Sequence, residues 1–220
     1  LILDLRHKFE QVVDEVSKDQ LLADQTGYSP EARDKAAALV HSFEQYLAEH
    51  EHTAPFRHCY LTFHVKAPIF VFRQWMKHRI ASDFNEISGR YVEFPEDEFY
   101  LPQAFRRQAK VNKQGSEGAL EGAEAVQAAE AFLAACRASV AHYKELIALG
   151  VCREQARCVL PLGLYSEVYW TASLQAVAHF LHLREDSHAQ WEIRQYAQAV
   201  RALTEPIFPE ALKALAGTRS

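Results

Sequence analysis

The sequence predicts an α+β fold: a small mixed or antiparallel sheet among several long helices. Three observations predict it. Residues His58 to Val65 alternate, with Cys59, Leu61, Phe63 and Val65 on one face and His58, Tyr60, Thr62 and His64 on the other, the period of a half-buried strand. Most other apolar positions recur at helical spacing. The composition, 49% apolar and 24% charged over 220 residues, is that of a globular chain with enough surface to bury a core. No apolar run reaches the length of a spanning helix, so no membrane segment is expected.

The elements follow in order. Leu5, Phe9, Val12, Val13 and Val16 predict a helix over 4–16, and Gly27 and Pro30 mark 20–30 as loop. Ser29-Pro30-Glu31 reads as a helix start. Leu39, Val40, Phe43, Tyr46 and Leu47 give that helix an apolar face up to His50. Residues 51–57, with Pro55, form a connector before the strand. Ala67-Pro68 opens a helical segment over 69–79, and the cap and turn formers of 80–89 read as a polar loop. Arg90 to Phe94 reads as a second strand. Gly115, Gly118 and Gly122 predict a mobile loop over 103–122. A long helix is expected over 123–149, ended by Gly150, and a short one over 153–159, stopped before Pro161. The stretch 172–202 reads as helical until Pro206 and Pro209 break it. Position 1 is Leu, so residues are expected to precede it, and Asp4 and Arg6 exclude a signal peptide there.

The net charge of −5 argues against a general nucleic-acid binder. Between Arg57 and Arg90, however, six Lys/Arg face two acids; that segment is +4 and the remainder −9. Such a local excess points to one small anion. The four cysteines, at 59, 136, 152 and 158, have neither CxxC nor zinc-ligand spacing and read as reduced thiols of a cytosolic protein. His50, His52, His58 and His64 form no HExxH pattern, so no metal is expected. Dinucleotide, P-loop and nucleophile-elbow motifs are absent from the sequence.

The chemistry concentrates in two clusters. On a helix, Arg73 and Lys77 would share one face and Gln74 and His78 the next. Two neighbouring cations repel unless an anion sits there. Ser82, Asn85, Ser88, Gly89 and Arg90 then offer hydroxyls, backbone N–H groups and a guanidinium, a phosphate-binding set. The second cluster runs from Arg184 through Asp186 and His188 to Glu192, with Arg184 and His188 four apart on one expected helical face. Phe70, Phe72, Trp75, Phe84 and Tyr91 suit either ring stacking or the core. These residues describe an anion-binding protein with a nucleotide-sized ligand.

Lys77-His78-Arg79 followed by Asn85-Glu86-Ile87-Ser88-Gly89-Arg90-Tyr91 resembles the signature of the flavin-dependent thymidylate synthases. Residues 52–58, 63–75, 157–171 and 183–193 are similar to further blocks of that family, in the same order. The resemblance implies a single domain over 1–220 with the family's α+β fold, a homotetramer with shared active sites, and a cytoplasmic location. It implies FAD, methylenetetrahydrofolate and NADPH, and C5-methylation of a uracil nucleotide without a cysteine nucleophile. By the same resemblance, Gln74, Ser88, Gly89, Arg90 and Arg157 would hold the nucleotide, with Ser88 and Arg184 as its catalytic residues and Arg184 against the uracil. His52, Lys77, His78, Arg79, Asn85, Glu86 and His188 would line the flavin.

The sequence departs from the family pattern in several places, among them an N-terminal third without the family's usual Ala-Arg-Val-Ser stretch. Lys77 stands for an Arg and lacks its planar fork. Eight residues rather than seven separate Arg79 from Ser88. Arg57 stands for a Glu, and Ser173 and Gln175 for flavin-contacting residues. The enlarged 80–87 loop is expected to admit a ribose 2′-hydroxyl, so that UMP as well as dUMP is methylated, as in the uridylate C5-methylases of polyoxin-type antibiotic pathways. The alternatives are a dUMP-specific enzyme and a catalytically silent flavin- or nucleotide-binding subunit.

Overall fold

The computed structural model describes residues 30–94, 98–111 and 115–217, with side chains from residue 38. The helix expected over 4–16 and the loop expected over 20–29 lie outside the described residues. The described chain forms two compact units. One holds the described residues up to Tyr60, Ser173–His179 and the described residues from Val200; the other holds Leu61–Ala172 and Phe180–Ala199.

The second unit is built on a three-stranded sheet, ordered β1 (Tyr60–Pro68), β5 (Tyr165–Ser173), β2 (Ser82–Glu86). The alternation read in the sequence appears in β1, where Phe63 and Val65 are buried between exposed neighbours. His58 is not part of it and ends the short helix α2 (Ala54–His58). On the opposite face Thr62 bonds Thr171, while His64 stacks on Tyr169 and lies 2.9 Å from Glu167. These contacts step forward along β1 and backward along β5, so the pair is antiparallel. On β5, Ser166, Val168, Trp170 and Ala172 are all buried. This central strand was not expected, because Ser166 inside and Tyr165 and Tyr169 outside blur its apolar alternation.

β2 corrects the polar loop expected over 80–89. It pairs with β5 without a break, from Ser82↔Ala172 to Glu86↔Val168. One apolar residue, Phe84, gives it no strand signal of its own; the neighbouring β5 imposes it. Arg90 to Phe94 is a turn and irregular chain instead of a strand. The loop expected over 103–122 contains a hairpin, β3 (Arg106–Gln108) paired with β4 (Ser116–Ala119), with an irregularity after Arg106. Both strands are exposed and polar, so no burial pattern betrayed them.

Helix α3 (Ile69–Trp75) follows Pro68 and stops at Trp75, short of the expected 79. α4 (Gly122–Ala148) matches expectation and ends at Gly150, whose φ of 86° suits glycine. There Gly150 N–H donates to Ile147 and Val151 N–H to Leu146, closing the helix end. α5 (Arg153–Ala156) runs into a tighter turn at Arg157–Val159. The long helix expected over 172–202 is two helices, α6 (Leu174–Arg184) and α7 (Trp191–Thr204), separated by polar residues 185–190.

An aromatic cluster fills the space under the sheet. Trp75 stacks on Phe180 at 4.6 Å between ring centres, Trp170 meets both at 5.2 and 5.1 Å, and Phe63 stacks on Trp170 at 5.5 Å. Trp75, Trp170 and Phe180 are fully buried.

In the first unit, α1 (Pro30–Glu49) packs on α8 (Pro209–Gly217). Pro209 starts this last helix at its first position, where its missing N–H costs nothing; it does not end one. α1 buries Glu44 and Ala48, and His41 Nδ1 lies 2.5 Å from Glu210. Burial pushes the Glu44 carboxyl up, with Glu210 adding to the shift and His41 opposing it. Most of the apolar face expected on this helix is outward: Leu39 is 71%, Phe43 62% and Tyr46 51% exposed.

Trp75→Ala should cost about 3–5 kcal/mol, the range for a large aromatic removed from a packed core. Urea unfolding measures it, and a loss below about 1 kcal/mol would show that the cluster does not hold this unit.

Candidate functional site

The site segments of the second unit hang on this core. Trp75 is driven inward as the last residue of α3, which leaves Gln74 half-buried and Lys77 and Arg79 exposed just beyond the helix end. Because the helix stops there, Arg73 and Lys77 do not share a helical face, nor do Gln74 and His78. The chain then reverses at Ile80-Ala81. Ala81 has φ 53°, a left-handed conformation costing a non-glycine residue about 1–2 kcal/mol. The Ser82 hydroxyl bonds back to the His78 carbonyl across this turn. Since β2 is in register and Ile87 N–H continues to Glu167, only Ile80 and Ala81 of residues 80–87 lie off the ladder. Residues 82–87 thus follow β5 up to Ser88, and 80–81 form the turn that precedes them.

Four of the expected nucleotide ligands come together at the next turn. The Ser88 carbonyl accepts from Tyr91 and Val92 N–H, and its hydroxyl from Arg90 N–H at 3.3 Å. Gly89 is buried, and a Cβ there would collide with the Phe94 ring and touch Arg157 Cδ at 3.5 Å. Thus Arg157, from the turn after α5, lies beside Ser88-Gly89-Arg90. The Arg153–Glu93 pair, at 2.8 Å, ties that same segment to α5. Among the described residues neither Arg90 nor Arg157 pairs with a carboxylate, so both remain available to an anionic ligand.

A second convergence joins His78 and Arg184. Arg184 Nε–H donates to His78 Nε2 at 2.9 Å, so that ring nitrogen must carry its lone pair. Phe180, one helical turn before Arg184, presses against the His78 ring at 5.1 Å. Burial lowers the pKa of Arg184, the mark of a partly desolvated guanidinium. α6 ends at Arg184, so Arg184 and His188 do not share the expected helical face. His188 is exposed and turns to Asp186, which accepts both its backbone N–H and its Nδ1–H. Those bonds hold the Asp186 carboxyl below its usual range.

The remaining expected residues are more scattered. Asn85 and Glu86 are exposed on β2, where Glu86 accepts from Ser166. His52 lies in the first unit, against the rings of Tyr46 and His50. No group of three or more His, Cys, Asp or Glu able to hold a metal occurs among the described residues, and no described helix is long and apolar enough to cross a membrane.

One network escaped the sequence reading. Gln74 Nε2 donates to Gln190 Oε1 at 2.5 Å, and Gln190 Nε2 donates to Glu192 Oε2 at 2.8 Å. Glu192 Oε1 accepts from Tyr100 and Arg106 at 3.0 and 2.7 Å. Glu192 is only 6% exposed. Burial alone would raise its pKa, but a backbone N–H at the helix start, Gln190 and Arg106 outweigh burial and hold it below the ordinary carboxylate range. Glu192, with Tyr100, Tyr165, Trp191 and Tyr196, also lines an open cleft of about 290 Å³. The sequence signal was an acid in the first turn of a helix, which alone does not announce burial.

Gly89→Ala must displace the Phe94 ring. The expected cost is about 1–3 kcal/mol, as for other overpacked sites. Unchanged denaturation would show that Phe94 does not close over Gly89 in solution.

The chain matches the family described as thymidylate synthase complementing protein over residues 11–210. It is 45% identical over 203 residues to a flavin-dependent thymidylate synthase of Thermus thermophilus, covering 92% of this chain and 73% of that one. To the corresponding protein of Thermosipho melanesiensis it is 50% identical over 152 residues, covering 69% and 66%. The solved structure of a UMP/dUMP methylase, PolB from Streptomyces cacaoi bound with 5-Br UMP, superposes with a TM-score of 0.73 at 31% identity, over 81% of this chain and 82% of that one. Matched over most of its length by that family's model and by these relatives, the chain belongs to the thymidylate synthase complementing protein family.

Proposed function

We propose that this chain catalyses FAD-dependent reductive C5-methylation of a uracil nucleotide, with methylenetetrahydrofolate as one-carbon donor and NADPH as reductant. One observation carries the reading: in a chain matching this family from residue 11 to 210, Arg157 converges on Ser88-Gly89-Arg90 while His78 anchors Arg184.

Arg90 and Arg157 bind the nucleotide phosphate through charge-assisted hydrogen bonds, and buried Gly89 lets the backbone approach closely. The half-buried Arg184 lies against the uracil and stabilises negative charge developing on the ring. Partial desolvation makes its field stronger than it would be in water. His78 fixes the plane of that guanidinium. Ser88 holds the turn closed. Lys77, Arg79 and Asn85 are exposed donors with no carboxylate partner among the described residues, a set suited to the diphosphate of FAD. His78, Glu86 and His188 complete the proposed flavin lining of this unit, and His52, in the first unit, is proposed as a flavin ligand by the family resemblance. The flavin, when bound and reduced, supplies the hydride, so no thiolate is required of the protein. The outward Leu39, Phe43 and Tyr46 support assembly into a homotetramer, and a cytoplasmic location accords with the cysteine usage.

Two readings of the sugar remain distinct. Likeness to a UMP/dUMP methylase favours acceptance of UMP. The unbroken β2 register, and higher identity to thymidylate synthases than to that methylase, favour dUMP. Anaerobic product analysis with each nucleotide, folate donor and NADPH decides between them.

Purified protein with added FAD should show bound-flavin absorbance; none at excess FAD would overturn the reading. Arg184→Ala should lower methyl transfer by about 100-fold or more, the scale for removing a group that stabilises developing charge, with the melting temperature little changed. Near-normal turnover would remove Arg184 from the chemistry.

A further inference from the structure

We propose that Glu192 is a positioning residue for the nucleotide: through Gln190 it fixes the amide of Gln74 so that Gln74 Oε1 serves as a hydrogen-bond acceptor for the substrate. The inference rests on the reading of Gln74 as a nucleotide ligand and adds a polarity to it.

An ionised carboxylate only accepts hydrogen bonds. Arg106 donates to Glu192 across 2.7 Å and keeps it charged, and Tyr100 donates to the same oxygen. The group of Gln190 that meets Glu192 must therefore be its NH2, and the bond at 2.8 Å has that sense. This turns the Gln190 carbonyl toward Gln74, whose facing group must in turn be NH2, as in the 2.5 Å bond. The amide of Gln74 is then left with its oxygen at the other end. An unanchored glutamine could flip to present either group; this one cannot without setting two like groups face to face and losing the bond to Gln190.

The substrate must supply a donor, either the uracil N3–H or a sugar hydroxyl. A site built to accept from such a donor rejects an analogue lacking it. None of these residues but Gln74 touches the nucleotide in this scheme, so the effect falls on nucleotide binding before it falls on chemistry.

The test is steady-state kinetics of the flavin-loaded enzyme. Glu192→Gln should raise the nucleotide KM about tenfold, the equivalent of one hydrogen bond, with kcat changed less than about threefold. Gln190→Leu breaks the chain at an exposed position without touching the buried carboxylate, and should give the same KM rise even where Glu192→Gln folds poorly. The double substitution Q190E/E192Q moves the carboxylate one link outward, where it accepts from both neighbours; it should return KM to within about threefold of the starting value, which a merely structural role for Glu192 would not produce. If Gln190→Leu leaves KM unchanged, or the double substitution is no better than Glu192→Gln, the relay is overturned. Gln74→Ala separates this from the parent reading: an unchanged KM there removes Gln74 from the nucleotide site altogether. Among substrates, 3-methyl-UMP and 2′,3′-dideoxy-UMP tell the two donors apart. The analogue lacking the relevant donor should lose its discrimination between Gln74→Ala and the unmodified enzyme, and if neither does, Gln74 accepts from no substrate donor.

Discussion

Packing of Trp75, Trp170 and Phe180 is the constraint on which the second unit's candidate site depends. Each ring belongs to a different element, α3, β5 and α6. Gln74 immediately precedes Trp75 and His78 follows it by three. Arg184 is one helical turn beyond Phe180. β5, which carries Trp170, imposes the register of β2 and so the place where Ser88 begins its turn. Rigid core packing transmits position because interiors are dense and side chains occupy single rotamers. The polar groups above it need only short reaches to meet.

The charges divide into two kinds. Glu192 is buried and answered by Arg106, Tyr100, Gln190 and its own helix start, as a buried charge must be. Arg90 and Arg157 are exposed and left without a carboxylate among the described residues. A protein gains little by gathering uncompensated guanidinium groups in water, since they repel. A ligand that brings negative charge removes that cost and adds directed hydrogen bonds. Arg184 stands between the two kinds: it is half-buried, paired with no acid among the described residues, and held by the ring nitrogen of His78 that accepts its Nε–H. That combination keeps the cation oriented without spending its charge.

How much of this was legible depended on range. β1 could be read because its two faces differ in burial, and α4 because its end is marked by Gly150. Gly89 and Arg157 were grouped by the motif likeness, which assigned His78 and Arg184 to different ligands; only the fold brings that second pair together, since no periodicity links residues so far apart. β2 and the Arg106 hairpin were illegible, since Ser82–Glu86 and the two hairpin strands carry almost no apolar signal and depend on their partners. α1 failed in the opposite way. Its apolar stripe was real, but the chain buries Glu44 and Ala48 instead and leaves Leu39, Phe43 and Tyr46 outward. Periodicity finds a stripe and is silent on what covers it.

The +4 segment shows why linear charge is a coarse guide to a site. One of its six cations is answered within the chain on folding: Lys66 is held by Glu98 at 2.7 Å and approached by Glu167. Two cations from outside the segment join the rest. Arg157 arrives beside Gly89, and Arg184 beside His78, from a region of the chain that is acidic overall. Sequence asymmetry therefore gave the right sign for the wrong set of residues. What selects the final set is whether a folded cation meets an acid of its own chain. Lys66 does, across a sheet whose outer face is polar. Among the described residues Arg90 and Arg157 do not: Arg90 lies over the Tyr91 ring and Arg157 Cδ beside Gly89, so both exposed cations stay open to an anion.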